Sequence, residues 1–470
     1  MSFVSPEFAL LCLLFFPIYW SLADRPRVQR SLLIVSAYAL YASWVPFFAW
    51  VLAFYSTVVW ALGCWMRRAA SARLPLVLGL WLAGTFLLSL KYYEFIRESF
   101  QAILQSTAFV SLLPVLDWVA PVGVSFFTFQ AVSYLVMVGR SPFLARSWMD
   151  VMLFLSFWPT LFAGPIWRAD KFFAQTDMKH PARRVGRPRQ GWLAVYLITL
   201  GLVQKVVLAS WLSAQVVDPV YKFPDQYASV SLAAAMLGYS MQIFLDFSGY
   251  TLIVTGLALL LGYRLPVNFR QPYLARNLSD FWTRWHVSLS SFIRDYIYIP
   301  MGGNRKGWFR TQLNVTAGML ISGLWHGANW TFVVWGLLHG LGVVVQNTAT
   351  RWGMPVWPRW VAQTFTFVFV SLAWVFFRSE SLPHALQMLQ GLWFSPMGFW
   401  LPDQMPWWLL LGISALVLGL SPWALRLQRM SLACLARLGP WRAGLLLALV
   451  LSAVLYGAPE GVPSFIYYRF

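Results

Sequence analysis

Three observations predict an all-α integral membrane protein. Of 470 residues, 59% are hydrophobic and only 11% are charged, whereas a soluble domain is about a quarter charged. The mean hydropathy is +0.62. The apolar residues also gather in runs long enough to cross a bilayer, most of them bounded by arginines. Too few charges remain to coat a water-facing surface, so lipid must solvate much of the chain. A disordered, collagenous or disulfide-framework protein is excluded, the last because Cys12, Cys64 and Cys434 are scattered through apolar runs.

A helix crossing ~30 Å of hydrocarbon needs roughly 17–25 apolar residues, and shorter or tilted spans are common in large bundles. About twelve transmembrane helices are expected on this criterion: 8–22, 31–44, 47–65, 74–90, 118–138, 191–217, 228–262, 311–325, 329–346, 361–377, 407–425 and 443–457. No Lys or Arg precedes the first run and no small-residue cleavage site follows it, so it reads as a span and not as a signal peptide.

The net charge of +19 follows from topology, because Lys and Arg collect in cytoplasmic loops. No nucleic-acid partner is implied. Arg25, Arg27 and Arg30 follow the first span, Arg67, Arg68 and Arg73 the third, and Arg426, Arg429, Arg437 and Arg442 precede the last. These loops are placed inside, which puts both termini on the periplasmic face. The run 151–165 has basic residues on both sides, from Arg140 and Arg146 to Arg168 and Lys171, and contains Pro159, Gly164 and Pro165. It reads as a re-entrant segment buried in protein, where irregular backbone is tolerated at membrane depth.

Residues 264–310 are too polar to span and too aromatic for a solvated loop. Asp280 is expected to cap one interfacial helix carrying Trp282, Trp285, Leu289, Phe292, Ile293 and Tyr296 at helical spacing, with Pro300 ending it. Gly302, Gly303 and Asn304 read as a turn, not as a phosphate cradle. The apolar stretch 311–346 begins and ends beside basic loops, so it must turn back around Gly327 to Asn329 as a hairpin. With no solenoid repeat or low-complexity linker, residues 1–470 read as a single polytopic domain.

Ionisable side chains inside spans are functional-site candidates by default. Here they are Lys205, Asp246, His326 and His339, whereas His180 and His384 sit in polar surroundings and read as solvated. A neutral imidazole buried at the hairpin turn can take a proton from a hydroxyl and return it to a leaving group. Asn329 is a candidate to orient His326 or to donate to an oxyanion. The residues leave a second reading open, a packed histidine bonded to a backbone carbonyl. Asp246 and Ser248 favour interhelical hydrogen bonding. His326 and His339 are 13 residues apart, which is not a metal-ligand spacing on one helix face, so no metal site is expected.

Several strings resemble the membrane-bound O-acyltransferase family, and within it the bacterial branch serving alginate and related polysaccharide O-acetylation. They are PVGVSFFTFQAVSYL (121–135), FAGPIWRAD (162–170), LDFSGY (245–250), LPVNFRQPYLARNLSDFWTRWHVSLSSFIRDYIYIPMGGNRKG (265–307), SGLWHGANWTFVVWGLLHG (322–340), WVFFRSESLPHAL (374–386) and the C-terminal PSFIYYRF. The resemblance implies a helix bundle with a central tunnel in which a cytosolic acyl thioester meets an acceptor from the other face. Its signature histidine falls on His326 and its second histidine on His286. Trp325, Asn329, Asp246, Ser248, Arg284, Arg294, Asp295, Asn304 and His339 are the expected supporting residues. Two acidic residues of the branch pattern are replaced, within Val136 to Arg140 and within Thr251 to Val254.

The expected function is acetyl transfer in a bacterial inner membrane. Acetyl-CoA is the donor substrate, with no permanently bound cofactor. The acceptor is a periplasmic SGNH-type acetyltransferase or the polysaccharide itself. A secondary transporter would show matching inverted halves, and no second copy of the WHGANW or DFSGY environment is present. A membrane glycosyltransferase or a non-catalytic scaffold of a polysaccharide-modification complex would share the same composition and spans.

Overall fold

The computed structural model describes residues 3–104, 115, 120–176, 188–395 and 407–459. Every regular element among them is helical, as expected for a chain that must satisfy its backbone internally in hydrocarbon. Seven described helices are long and apolar enough to cross a membrane: Pro46–Arg68, Arg73–Ala102, Gln190–Lys222, Ser229–Leu260, Trp330–Arg351, Arg359–Arg378 and Trp407–Leu438. Glu7–Ser21, Val124–Arg140 and Trp441–Gly457 are shorter apolar helices. The expected spans 31–44 and 311–325 are also helical, but Gln29 and Arg30 in the first helix, and Gln312 and Asn314 in the second, lower their apolar character.

The chain divides into two compact units. Unit 1 comprises Met1–Arg187 with Leu257–Pro266. Its helices α1 (Pro6–Ser21), α2 (Pro26–Ala42) and α3 (Pro46–Arg68) each start on proline, where a missing N–H matters least. Helix α4 (Arg73–Leu87) passes through a π turn into α5 (Tyr93–Leu104), and α6 (Val124–Arg140) packs on α3 and α4. The segment expected to be re-entrant is broken into α7 (Trp148–Ser156) and α8 (Trp158–Leu161), and every residue from 151 to 167 is buried. Asp150 at its entrance pairs with Arg30 at 2.8 Å. Helix α9 (Ala169–Thr176) follows. Residues 257–266 join this unit because Tyr19 and Trp20 each donate, at 3.0 Å, to the carbonyls of Leu261 and Leu260.

Unit 2 comprises Pro188–Gly256 with Val267–Phe470. Helix α10 (Pro188–Leu202) continues through π turns to Lys222, and α11 (Ser229–Leu260) is 32 residues long. These helices approach backbone to backbone: a Cβ on Gly201 would lie 2.5 Å from the Gly249 carbonyl oxygen.

Between residues 264 and 310 the single expected helix is corrected to two, α12 (Leu278–Trp282) and α13 (Val287–Ile293), followed by a π turn to Tyr298. Asn277, not Asp280, caps the first of them, its side chain accepting from the Asp280 N–H at 2.8 Å. The break falls at His286, whose φ of +43° is left-handed and ends the helical path.

Helices α14 (Trp308–His326) and α15 (Trp330–Arg351) form the expected hairpin. Its close crossing depends on glycine. A Cβ on Gly323 would meet the Phe332 carbonyl oxygen at 2.3 Å, and one on Gly336 the Met319 carbonyl oxygen at 2.5 Å. Helices α16 (Arg359–Arg378), α17 (Leu382–Phe394), α18 (Trp407–Leu420) and α19 (Ala424–Gly457) complete the unit. The loop expected around Arg426 to Arg442 is corrected to helix, because α19 runs unbroken across it.

Candidate active site

His326 is the last residue of α14, immediately before Gly327 breaks the helix. Its side chain is buried, with 2% exposure, and lies among rings contributed by three helices. Trp325, Trp335 and Phe377 all have ring centroids 5.0–5.1 Å away. His286, 40 positions earlier in the sequence, lies 6.4 Å from it between ring centroids. Trp325 touches both imidazoles, being 5.7 Å from His286. The α12–α13 break and the hairpin turn thus bring the two sequence-predicted histidines together.

His286 is held by Asn268, a residue not singled out from the sequence. The Asn268 side-chain oxygen accepts from the Ser288 N–H at 3.2 Å and from the Ser288 hydroxyl at 2.8 Å. The same oxygen lies 3.1 Å from His286 Nδ1. A carboxamide oxygen only accepts, so this contact assigns the hydrogen to Nδ1 and the lone pair to Nε2. Main-chain bonds from Val287 N–H to Asn268 and from Arg270 N–H to Arg284 clamp the same bend at 3.0 and 2.9 Å. They stabilise a left-handed residue that would otherwise be strained. Phe247 of α11 presses edge-on to His286 at 4.7 Å. Burial pushes the His286 pKa down to about 3, which keeps the ring neutral.

His339 lies one layer further along α15. Trp335 stands between the two hairpin histidines, 5.1 Å from His326 and 4.9 Å from His339. Trp282 packs on His339 at 5.0 Å. Of this cage Trp325 and His339 are expected from the sequence, whereas Trp282, Trp335 and Phe377 are not, because aromatic rings at helical spacing also build ordinary cores.

The other candidates are placed as follows. Asn329 caps α15, its oxygen accepting from the Thr331 N–H at 2.9 Å while its NH2 donates to the Glu380 carbonyl at 3.0 Å. Its oxygen and one of its two N–H groups thus serve the backbone. Asp246 pairs with Lys205, and Ser248 donates to the Gln204 side chain at 2.8 Å. Both contacts tie α11 to the π-helical continuation of α10, as interhelical polar groups do. Arg284 is bound by Asp280 at 2.6 Å, Arg294 pairs with its neighbour Asp295 at 2.6 Å, and Asn304 is exposed in its turn. Hydrogen bonding to Asp295 raises the Arg294 pKa.

His384 corrects another expectation. It is half-buried at the start of α17, with Nε2 2.6 Å from the Tyr221 carbonyl. His180, Trp118 and the C-terminal PSFIYYRF string lie outside the described residues. Among the described residues no three His, Cys, Asp or Glu side chains converge as a metal set.

Fold and site define a class: a multi-pass helical membrane protein with two buried imidazoles meeting beside a hairpin turn. Residues 145–382 match the model of the membrane-bound O-acyltransferase family, MBOAT. The chain is 34% identical over 398 residues, 83% of its length and 78% of the relative's, to the "Probable alginate O-acetylase AlgI" of Azotobacter vinelandii. It is 35% identical over 351 residues, 69% of its length and 65% of the relative's, to the "Peptidoglycan O-acetyltransferase" of Helicobacter pylori. The "Teichoic acid D-alanyltransferase" of Bacillus subtilis is 26% identical over 278 residues, 56% of this chain and 69% of the relative. The chain belongs to the membrane-bound O-acyltransferase family, in its alginate and polysaccharide branch, and is an O-acyltransferase.

Proposed function

We propose that the protein transfers an acetyl group from cytosolic acetyl-CoA to a hydroxyl acceptor outside the cytoplasm. The acceptor is a polysaccharide or a periplasmic SGNH-type acetyltransferase that relays the group, and the enzyme works in a bacterial inner membrane. The observation that supports this most is the pairing of His326 with His286, ring centroids 6.4 Å apart, in a buried aromatic site. The relatives named as alginate and peptidoglycan O-acetylating proteins support the acceptor class.

In the proposed reaction His326 takes the proton from the acceptor hydroxyl as its oxygen attacks the thioester carbonyl. The carbon–oxygen bond forms, the carbon–sulfur bond breaks, and the departing thiolate recovers the proton from the imidazolium. His286 assists as a neutral ring, its Nε2 lone pair accepting a hydrogen bond in the tautomer that Asn268 holds. The aromatic walls exclude water, which strengthens polar interactions at the reacting carbonyl and protects the thioester from hydrolysis. Trp325 and Trp335 position the His326 ring. Asn329 acts through the hairpin, as its cap.

Proteoliposomes test the reading. Labelled acetyl-CoA supplied on one side, with the candidate acceptor only on the other, is expected to give labelled acceptor. Failure of every hydroxyl acceptor, with the thioester left intact, would overturn it.

A further inference from the structure

The base of the α14–α15 hairpin carries a surface that the acyl-transfer chemistry does not use. Residues 302–310 and 351–360 hold five basic side chains and no Asp or Glu. Arg305, Lys306, Arg310, Arg351 and Arg359 are all exposed. Beside them Phe309 is 70% exposed, Trp352 76%, Val356 96% and Trp360 73%. The Arg351 guanidinium lies 5.0 Å over the Trp308 ring, joining the start of α14 to the end of α15.

Large indoles left bare beside uncompensated arginines are poorly suited to water. The position of this patch supplies the cover, because α15 and α16 are both long and apolar enough to cross a membrane and the patch sits where one ends and the next begins. Tryptophan rings favour the headgroup layer at the ends of spans, and clustered Lys and Arg favour anionic phosphates there.

We propose that this collar binds the headgroups of anionic phospholipids and so fixes the depth of the histidine hairpin. From Trp308 to His326 α14 rises about 27 Å, close to the ~30 Å of a hydrocarbon core. A collar seated at one boundary therefore holds His326 near the other. That this is the acceptor's side rests on the proposed function; the collar itself does not.

The test needs no activity measurement, so its failure is distinct from failure of the acyl-transfer reading. Val356→Cys, in a chain with Cys12, Cys64 and Cys434 replaced by Ser, is labelled with a nitroxide and placed in phosphatidylglycerol nanodiscs. The label is expected at headgroup depth. Full access to a water-soluble relaxing agent, as in a free loop, would overturn the proposal. Native mass spectrometry then compares retention of phosphatidylglycerol and phosphatidylcholine. Replacing all five basic residues by Gln is expected to remove at least half of the retained phosphatidylglycerol, and inorganic phosphate is expected not to displace it. Unchanged retention, or displacement by inorganic phosphate, would refute the lipid assignment.

Discussion

Replacing Asn268 by Leu keeps the side chain's size but removes the oxygen that organises His286. That oxygen is within 3.2 Å of three nitrogen or oxygen atoms on His286 and Ser288. Each buried donor left unpaired costs about 1–3 kcal/mol. The Ser288 hydroxyl can rotate to another acceptor, and its oxygen, 3.4 Å from His286 Nδ1, can take up that N–H, so a loss of about 1–3 kcal/mol is expected. The left-handed backbone at His286 also loses its support, and a reacting group displaced by about 1 Å can lower the rate on the order of 100-fold. The assay is the acyl-transfer rate and unfolding midpoint in detergent for Asn268→Leu beside Asn268→Asp, which retains an accepting oxygen. A smaller loss of rate in the Asp variant than in the Leu variant is expected. Wild-type rate and midpoint in Asn268→Leu would refute the reasoning.

Three further changes separate structural from chemical roles. Gly336→Ala forces a Cβ to within 2.5 Å of the Met319 carbonyl oxygen; overpacking of this kind costs about 1–3 kcal/mol, so a lower unfolding midpoint and slower turnover are expected, and an unchanged protein would show that the helices separate freely. Lys205→Met leaves Asp246 buried without its cation and is expected to cost about 3–5 kcal/mol, most of it recovered when Asp246→Leu is added; equal stability of the single and double variants, by chemical unfolding, would contradict the pairing. Asn329→Ser retains a capping oxygen and is expected to keep most of the activity, whereas Asn329→Ala loses about 1 kcal/mol of helix cap; equal loss of turnover in both would show a direct role for that amide.

Much of the architecture could be read from the sequence because lipid imposes coarse rules. Apolar runs become helices, and a run carrying Pro159, Gly164 and Pro165 between basic flanks becomes the buried, broken segment from 151 to 167. The boundaries that failed lacked such signals. The left-handed bend at His286 has no glycine to announce it, and the arginines from Arg426 to Arg442, taken for a loop, also suit one exposed helix. His326 stood out as an imidazole in an apolar hairpin, whereas His286 was marked only by the family resemblance. Asn268 did not stand out, because its oxygen acts only once residues 18 and 20 positions away fold onto it. Trp335 and Phe377 were hidden for the opposite reason, since rings at helical spacing are ordinary core.

The central claim is that the imidazole at the hairpin turn moves the proton in acyl transfer. Single-turnover transfer of labelled acetyl from acetyl-CoA by His326→Gln, in protein whose unfolding midpoint matches the parent, measures it directly. A fall on the order of 100- to 10,000-fold, the range of general base catalysis, is expected. Transfer at the parental rate would contradict it.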